Sequence, residues 1–229
     1  MKLKDILWLL VIVVITAFVL MPSTKPIFNE LTMKYPYIMG FIKTAILASM
    51  GEILVSRIKT GRYFSGKGFM MKAIVWGFLG MIFVLIFKVF SSGVIAAQSA
   101  SLLPSIQQQT FIQTLLTAFL ISAIMNSFFA PSFMLLHRIT DGYIELGSGT
   151  LKGVCQVRLK HVIERIDFQS FIHFVILKTI PFFWIPAHTI TFILPETYRV
   201  LMAAYLSIAL GILLTLAKSR KVVTQDETK

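Results

Sequence analysis

The chain has 229 residues, 56% of them hydrophobic and only 14% charged, with a net charge of +12. A mean hydropathy of +0.81 excludes an ordinary soluble domain, because such a chain needs lipid as its solvent. In a soluble protein this charge would suggest nucleic acid. Here Lys and Arg fall in short clusters between apolar runs, where orientation signals sit, so no nucleic-acid partner is expected.

Six apolar runs follow one another at 6–21, 37–55, 73–90, 111–136, 168–186 and 198–216. Each approaches the roughly 20 residues that cross about 30 Å of hydrocarbon. None alternates polar and apolar residues as a barrel strand does. The expected fold is all-α, a polytopic transmembrane helical bundle. Residues 1–36 form an N-terminal anchor helix with an outer loop, 37–217 the bundle, and 218–229 a basic, polar tail. The first run lacks an Ala-x-Ala-like cleavage site after Met21, so it reads as an uncleaved anchor.

The connections carry an orientation. Arg57, Lys59, Arg62, Lys67 and Lys72 flank the second connection; Arg138, Lys152, Arg158, Lys160 and Arg165 lie in the fourth. Lys218, Arg220, Lys221 and Lys229 follow the last run, and Lys2 and Lys4 precede the first. The alternate connections hold few cations, so both termini are expected inside, in the cytoplasmic membrane of a prokaryote or in an organelle membrane. Within the long connection from His137 to Asp167, Leu151, Val154, Cys155, Leu159, Val162, Ile163 and Ile166 recur at three- and four-residue steps. That spacing predicts an amphipathic helix on the inner leaflet, holding anionic headgroups; a solvated extension of the fifth span, or a docking surface, fits the same spacing. The single Cys155 forbids an internal disulfide and any cysteine-based metal cluster.

Chemistry in such a chain comes from polar residues inside the spans, each of which is costly at bilayer depth and so needs a partner or a wet path. These are Lys43, Glu52, Lys88, Asn126, His173, Lys178, His188 and Arg199. Counted inward along the helices, Lys178 lies near the midplane, with Glu52 and His173 at similar depth so that Glu52 can pair with either, and Lys43 lies slightly outside the midplane. Lys43, Glu52, Lys178, His173 and Asn126 are therefore pore or cavity candidates. Two readings stay open: an aqueous path whose lysines favour anions, or snorkelling and helix-to-helix pairing, the latter favoured for Lys88 and Arg199 near the outer surface. Asn126 and Pro131 should kink the fourth span. No G-x-S-x-G elbow, H-E-x-x-H pair or phosphate loop is present, and the His and carboxylate groups are too few for a dimetal site. No enzyme, cofactor or metal is expected.

Three local patterns resemble one family, the Mpv-seventeen and peroxisomal membrane protein family. Residues 184–199 look like its W-P-x-x-Q-x-x-N-F-x-x-V-P-x-x-Y-R signature, with Trp184, Phe192, Pro195, Tyr198 and Arg199 matching. His188 stands where the family has Gln, and Thr191 where it has Asn. Phe129-Ala130-Pro131 resembles a second pattern, with Met125-Asn126 in place of an upstream D-Q pair. Gly77-Phe78-Leu79-Gly80, leading to Lys88, resembles a third, and Met50-Gly51-Glu52 a Gly-Asp in the preceding span. The similarity runs over residues 40–216. The family is usually described with four spans, so the N-terminal helix and the six runs are departures. The resemblance implies association with a weakly selective channel for small solutes, and makes Trp184, His188, Thr191, Pro195, Tyr198, Arg199 and Lys88 candidates for an outer vestibule. In physical terms, Pro186 and Pro195 should bracket a tight outer hairpin, with Trp184 and Tyr198 as interfacial anchors.

The leading functional expectation is a channel or pore-like protein for small, anionic solutes, based on the excess of intramembrane cations. The alternative is a non-transporting scaffold whose charges are paired and whose inner loops hold anionic lipid or a partner, with homo-oligomerisation open.

Overall fold

A computed structural model of the chain describes residues 3–64, 66–106 and 110–226, with side chains through Leu213. Lys2, Lys229 and the side chains of the tail, including Lys218, Arg220 and Lys221, lie outside the described part. Lipid offers peptide groups no water, so each spanning segment closes its own hydrogen bonds as helix, and no strand occurs among the described residues. Among the described residues, six stretches are long and apolar enough to span: Leu3–Leu20, Pro36–Thr60, Phe69–Ser99, Phe111–Phe128, Phe168–Ile193 and Glu196–Leu213.

In chain order these are α1 (Leu3–Leu20), a short α2 (Lys25–Lys34), α3 (Pro36–Thr60) and α4 (Phe69–Ser99). Then come α5 (Phe111–Phe128), α6 (Ala130–Leu146), α7 (Leu151–Gln156) and α8 (Leu159–Glu164). The fifth span opens with α9 (Phe168–Ser170), continues as a π-helix over Phe171–Trp184 and ends as α10 (Ile185–Ile193); α11 (Glu196–Asp226) closes the chain. The end of the bundle carrying the connections 61–68 and 147–167 is called the basic end below, and the end carrying α2 and the Leu194–Pro195 turn the far end.

Four expectations are corrected. The helix 25–34 occupies what reads as a loop, because Pro26 starts its first turn and Phe28 has a core to enter. Pro186 does not end the fifth span; it sits in the first turn of α10, where its missing N–H is tolerated, so the hairpin narrows to Leu194 and Pro195. The fourth span is interrupted at Phe129, just before Pro131, as expected, but α6 then carries the helix on through His137 and Gly142, which read as connection. The amphipathic pattern over 151–166 is two short helices, not one, parted by extended backbone at Val157 and Arg158. They fold back on α6: Val162 is fully buried, and Gly142 and Gly147 leave room for Val162 and the Val154 backbone.

The centre of the fold is the antiparallel crossing of α3 and α4. A methyl on Gly80 would run into Thr44 Oγ1 and the Gly40 carbonyl, and one on Gly40 would lie 2.6 Å from Val84 Cγ2. In lipid, helices gain little from the hydrophobic effect, and small residues that let backbones touch hold them together. Gly51 performs the same service toward α11, where a methyl would meet Ile208 Cα at 3.2 Å. α1 is mostly exposed; Val19 packs in one core cluster with Phe28, Leu47 and Leu201, and polar bonds add to the attachment. Arg57 donates to Asp5 at 2.9 Å, the Tyr63 hydroxyl donates to Asp5 at 2.8 Å, and the Trp8 indole donates to the Met50 carbonyl at 3.0 Å.

Gly80→Ala is expected to lower stability by about 1–3 kcal/mol through overpacking. Gly93→Ala, where nothing lies within 4 Å, should not destabilise. Thermal unfolding of the detergent-solubilised protein distinguishes the two.

Candidate functional site

Polar side chains gather at three levels. At the far end a cavity of about 400 Å³ opens between α2, α3, α4 and α11. Thr32, Lys43, Val84, Lys88, Glu196 and Arg199 are among its walls. Lys43, on α3, is only 6% exposed. Its ammonium donates to Thr32 Oγ1 at 2.9 Å and to the Thr197 carbonyl at 3.2 Å, and lies 4.5 Å from the centre of the Phe28 ring. Among the described residues it forms no ion pair, so every group it touches is neutral. Lys88 pairs with Glu196 at 2.8 Å, with both side chains well exposed. Arg199 donates to the carbonyls of Leu194 and Phe192 and to Ser91 Oγ, closing the C-terminal end of α10.

Midway through the bundle, Asn126 on α5 is fully buried. Its amide donates to the Ser122 carbonyl at 2.8 Å, and its Oδ1 lies 3.1 Å from His188 Nδ1 on α10. The Ser122 hydroxyl donates at 2.7 Å to the Ile185 carbonyl, which also accepts from the Thr189 hydroxyl at 2.7 Å. Trp184 stacks on His188 at 5.1 Å, so it is a wall of this network and not a rim anchor. Thr191 is fully buried and donates to the Ala187 carbonyl within its own helix. Tyr198 packs on Phe28 of α2 at the far end, and Pro195 accepts from the Tyr198 N–H in the turn.

At the basic end, α3, α4 and α6 converge. The Trp76 indole donates to Glu52 Oε1 at 2.6 Å and its ring centre lies 4.3 Å from that of His137. His137 Nε2 is 3.6 Å from Asp141 Oδ2, and Lys72 lies 3.7 Å from Asp141 and 3.3 Å from Glu145. Burial pushes the His137 imidazole down to about 4, leaving the ring neutral near pH 7. Burial also raises the Asp141 carboxyl, opposed by the charge of Lys72. A cavity of about 350 Å³, bounded by Glu52, Lys72 and Glu145, joins this cluster to the surface.

The structure therefore brings Lys43, Lys88 and Arg199 to one cavity, and Asn126 and His188 to one network. It does not bring His173 or Lys178 to Glu52: both are exposed on the outer side of the fifth span. The winding explains this. Two turns of π-helix carry the buried face of Phe171 to Thr179 and Ile180, where two turns of α-helix would have carried it to Lys178. Sequence reasoning missed Lys72, Trp76, His137, Asp141 and Glu145. The available signal was the one-turn spacing of Lys72 with Trp76 and of His137 with Asp141.

These features define a multi-pass α-helical membrane protein. Comparison of the chain with protein families, with characterised proteins and with solved structures gives no match.

Asn126→Leu removes the partner of His188 and the shared bond to Ser122, and should cost about 1–2 kcal/mol, the upper range for buried polar bonds in membrane bundles. Lys178→Leu, on an exposed face, should leave stability unchanged or raise it. Parallel melting curves of the two variants test the assignment.

Proposed function

We propose that this chain is a membrane passage for small anionic solutes, entered from the far-end cavity, with the basic end and both termini on the inner side of its membrane. The observation that carries this reading is Lys43. It is a cation buried in a spanning helix, and its contacts are a hydroxyl, a carbonyl and an aromatic face. A charge held this way at the wall of a cavity attracts an anion more strongly than the same charge in water, because no carboxylate is paired with it and little solvent screens it. Arg199 on the same wall adds to the positive potential, while Lys88 there is offset by its partner Glu196. The basic connections support the orientation. The resemblance of residues 184–199 to the Mpv-type signature supports the same functional class.

A second reading, a non-transporting scaffold, draws on the pairing of other cations: Arg57 with Asp5, Lys72 with Asp141 and Glu145, and Lys88 with Glu196. Lys43→Met separates the readings, since it keeps the apolar stem and removes the charge. In planar bilayers under a salt gradient, the wild type should show a reversal potential on the anion side that moves toward zero in Lys43→Met and not in Lys178→Met. Folded wild-type protein with no conductance would sink the passage and leave the scaffold.

A further inference from the structure

We propose that Glu52, His137 and Asp141 form a binding site for one divalent transition-metal ion of the Zn²⁺, Mn²⁺ or Fe²⁺ class, reached from the basic-end cavity. One carboxylate oxygen from each acid and one ring nitrogen of His137 all lie within 4.8 Å of one another. Ligands about 2.0–2.2 Å from a tetrahedral ion sit roughly 3.4 Å apart, so closing the site asks for side-chain rotation and no movement of helices. His137 and Asp141 stand one turn apart on α6 and face α3, which supplies Glu52 from a span distant in sequence.

Two atoms in the cluster point to a missing occupant. His137 Nδ1 is enclosed and has no hydrogen-bond partner, and Asp141 Oδ1, also enclosed, has only the Lys72 ammonium at 3.7 Å, beyond hydrogen-bond reach. Buried polar atoms are ordinarily bonded, and both of these are lone-pair donors to a cation. The supporting groups fit as well. The Trp76 indole holds one oxygen of Glu52 and leaves the other oxygen available, while its ring packs on His137 and restricts the imidazole. Lys72 lies beyond hydrogen-bond reach of Asp141 and closer to Glu145, so it can turn wholly to Glu145 when a metal takes its place beside Asp141.

The donor set defines the class. Two carboxylates with one imidazole suit Zn²⁺, Mn²⁺ or Fe²⁺; the imidazole disfavours Ca²⁺ and Mg²⁺, and the absence of thiolate disfavours Cu⁺. Cys155 is exposed on α7 and is not part of the cluster. The cavity bounded by Glu52, Lys72 and Glu145 gives the ion a route from the surface. This site is independent of the proposed passage, because it shares no residue with the wall around Lys43.

The test titrates Zn²⁺ alone, by calorimetry, into chelator-treated full-length protein in detergent. Co²⁺ is titrated separately as a quencher of Trp76 emission. One ion per chain is expected, with affinity reduced at least tenfold in His137→Gln and in Asp141→Asn and unchanged in Glu164→Gln, whose carboxylate pairs with Lys160. Lys72→Met should bind more tightly, since the competing cation is gone. Co²⁺ quenching should be largely abolished in Trp76→Phe. Absence of saturable binding to monodisperse wild type would overturn the proposal. So would equal affinity in both ligand variants, or weaker binding in Lys72→Met. Should one ligand variant fail to fold, the other and the Trp76 quenching still decide.

Discussion

Helices α3 and α4 meet at Gly40 and Gly80 with their backbones in close approach, and most of what is specific about this protein hangs from that contact. The Thr44 hydroxyl donates to the Gly40 carbonyl at 2.6 Å, so it is satisfied within its own helix and lies flat beneath Gly80. Lipid tails are as apolar as the leucines of the spans, so burying more Leu or Phe would not select this pairing; close backbone approach does. With the crossing set, α3 presents Lys43 on one side of it and Glu52 on the other. α4 answers with Val84 and Lys88 toward the far end and with Lys72 and Trp76 toward the basic end. One helix pair thereby frames both polar cavities.

The two cavities solve the problem of buried charge differently. At the basic end, acids and a cation are interleaved: Lys72 stands between Asp141 and Glu145, and Glu52 is held by an indole. At the far end, Lys43 is satisfied by neutral oxygens and an aromatic face, which meets its hydrogen-bonding demand without cancelling its charge. A bundle built only for stability gains by pairing every buried charge or replacing it with an apolar group. Lys43 departs from that rule, and the departure gives the far-end cavity its functional reading.

The fifth span shows how local winding redistributes function. Pro181 and Pro186 each lack an N–H, and the helix between Phe171 and Trp184 runs with the wider π spacing before tightening at α10. Lys178 and His173 are turned outward by this winding, while His188 enters the core against Asn126. Polar residues of one span thus end in exposed and buried positions.

Sequence alone determined the class, the six spans and the order of basic and non-basic connections, because each span must satisfy its own backbone and so carries its signal locally in hydropathy. It also placed Lys43, Lys88 and Arg199 toward one end, since depth follows from counting residues along a helix. Tertiary structure decided which way each side chain faces, and therefore which residues meet. Glu52 finds Trp76 and His137, not Lys178, because the crossing of α3 with α4 and the continuation of α6 beyond Pro131 bring together segments far apart in the chain. No periodicity within one span encodes the angle at which another will cross it. The polar clusters made by such crossings exist only once the helices have packed.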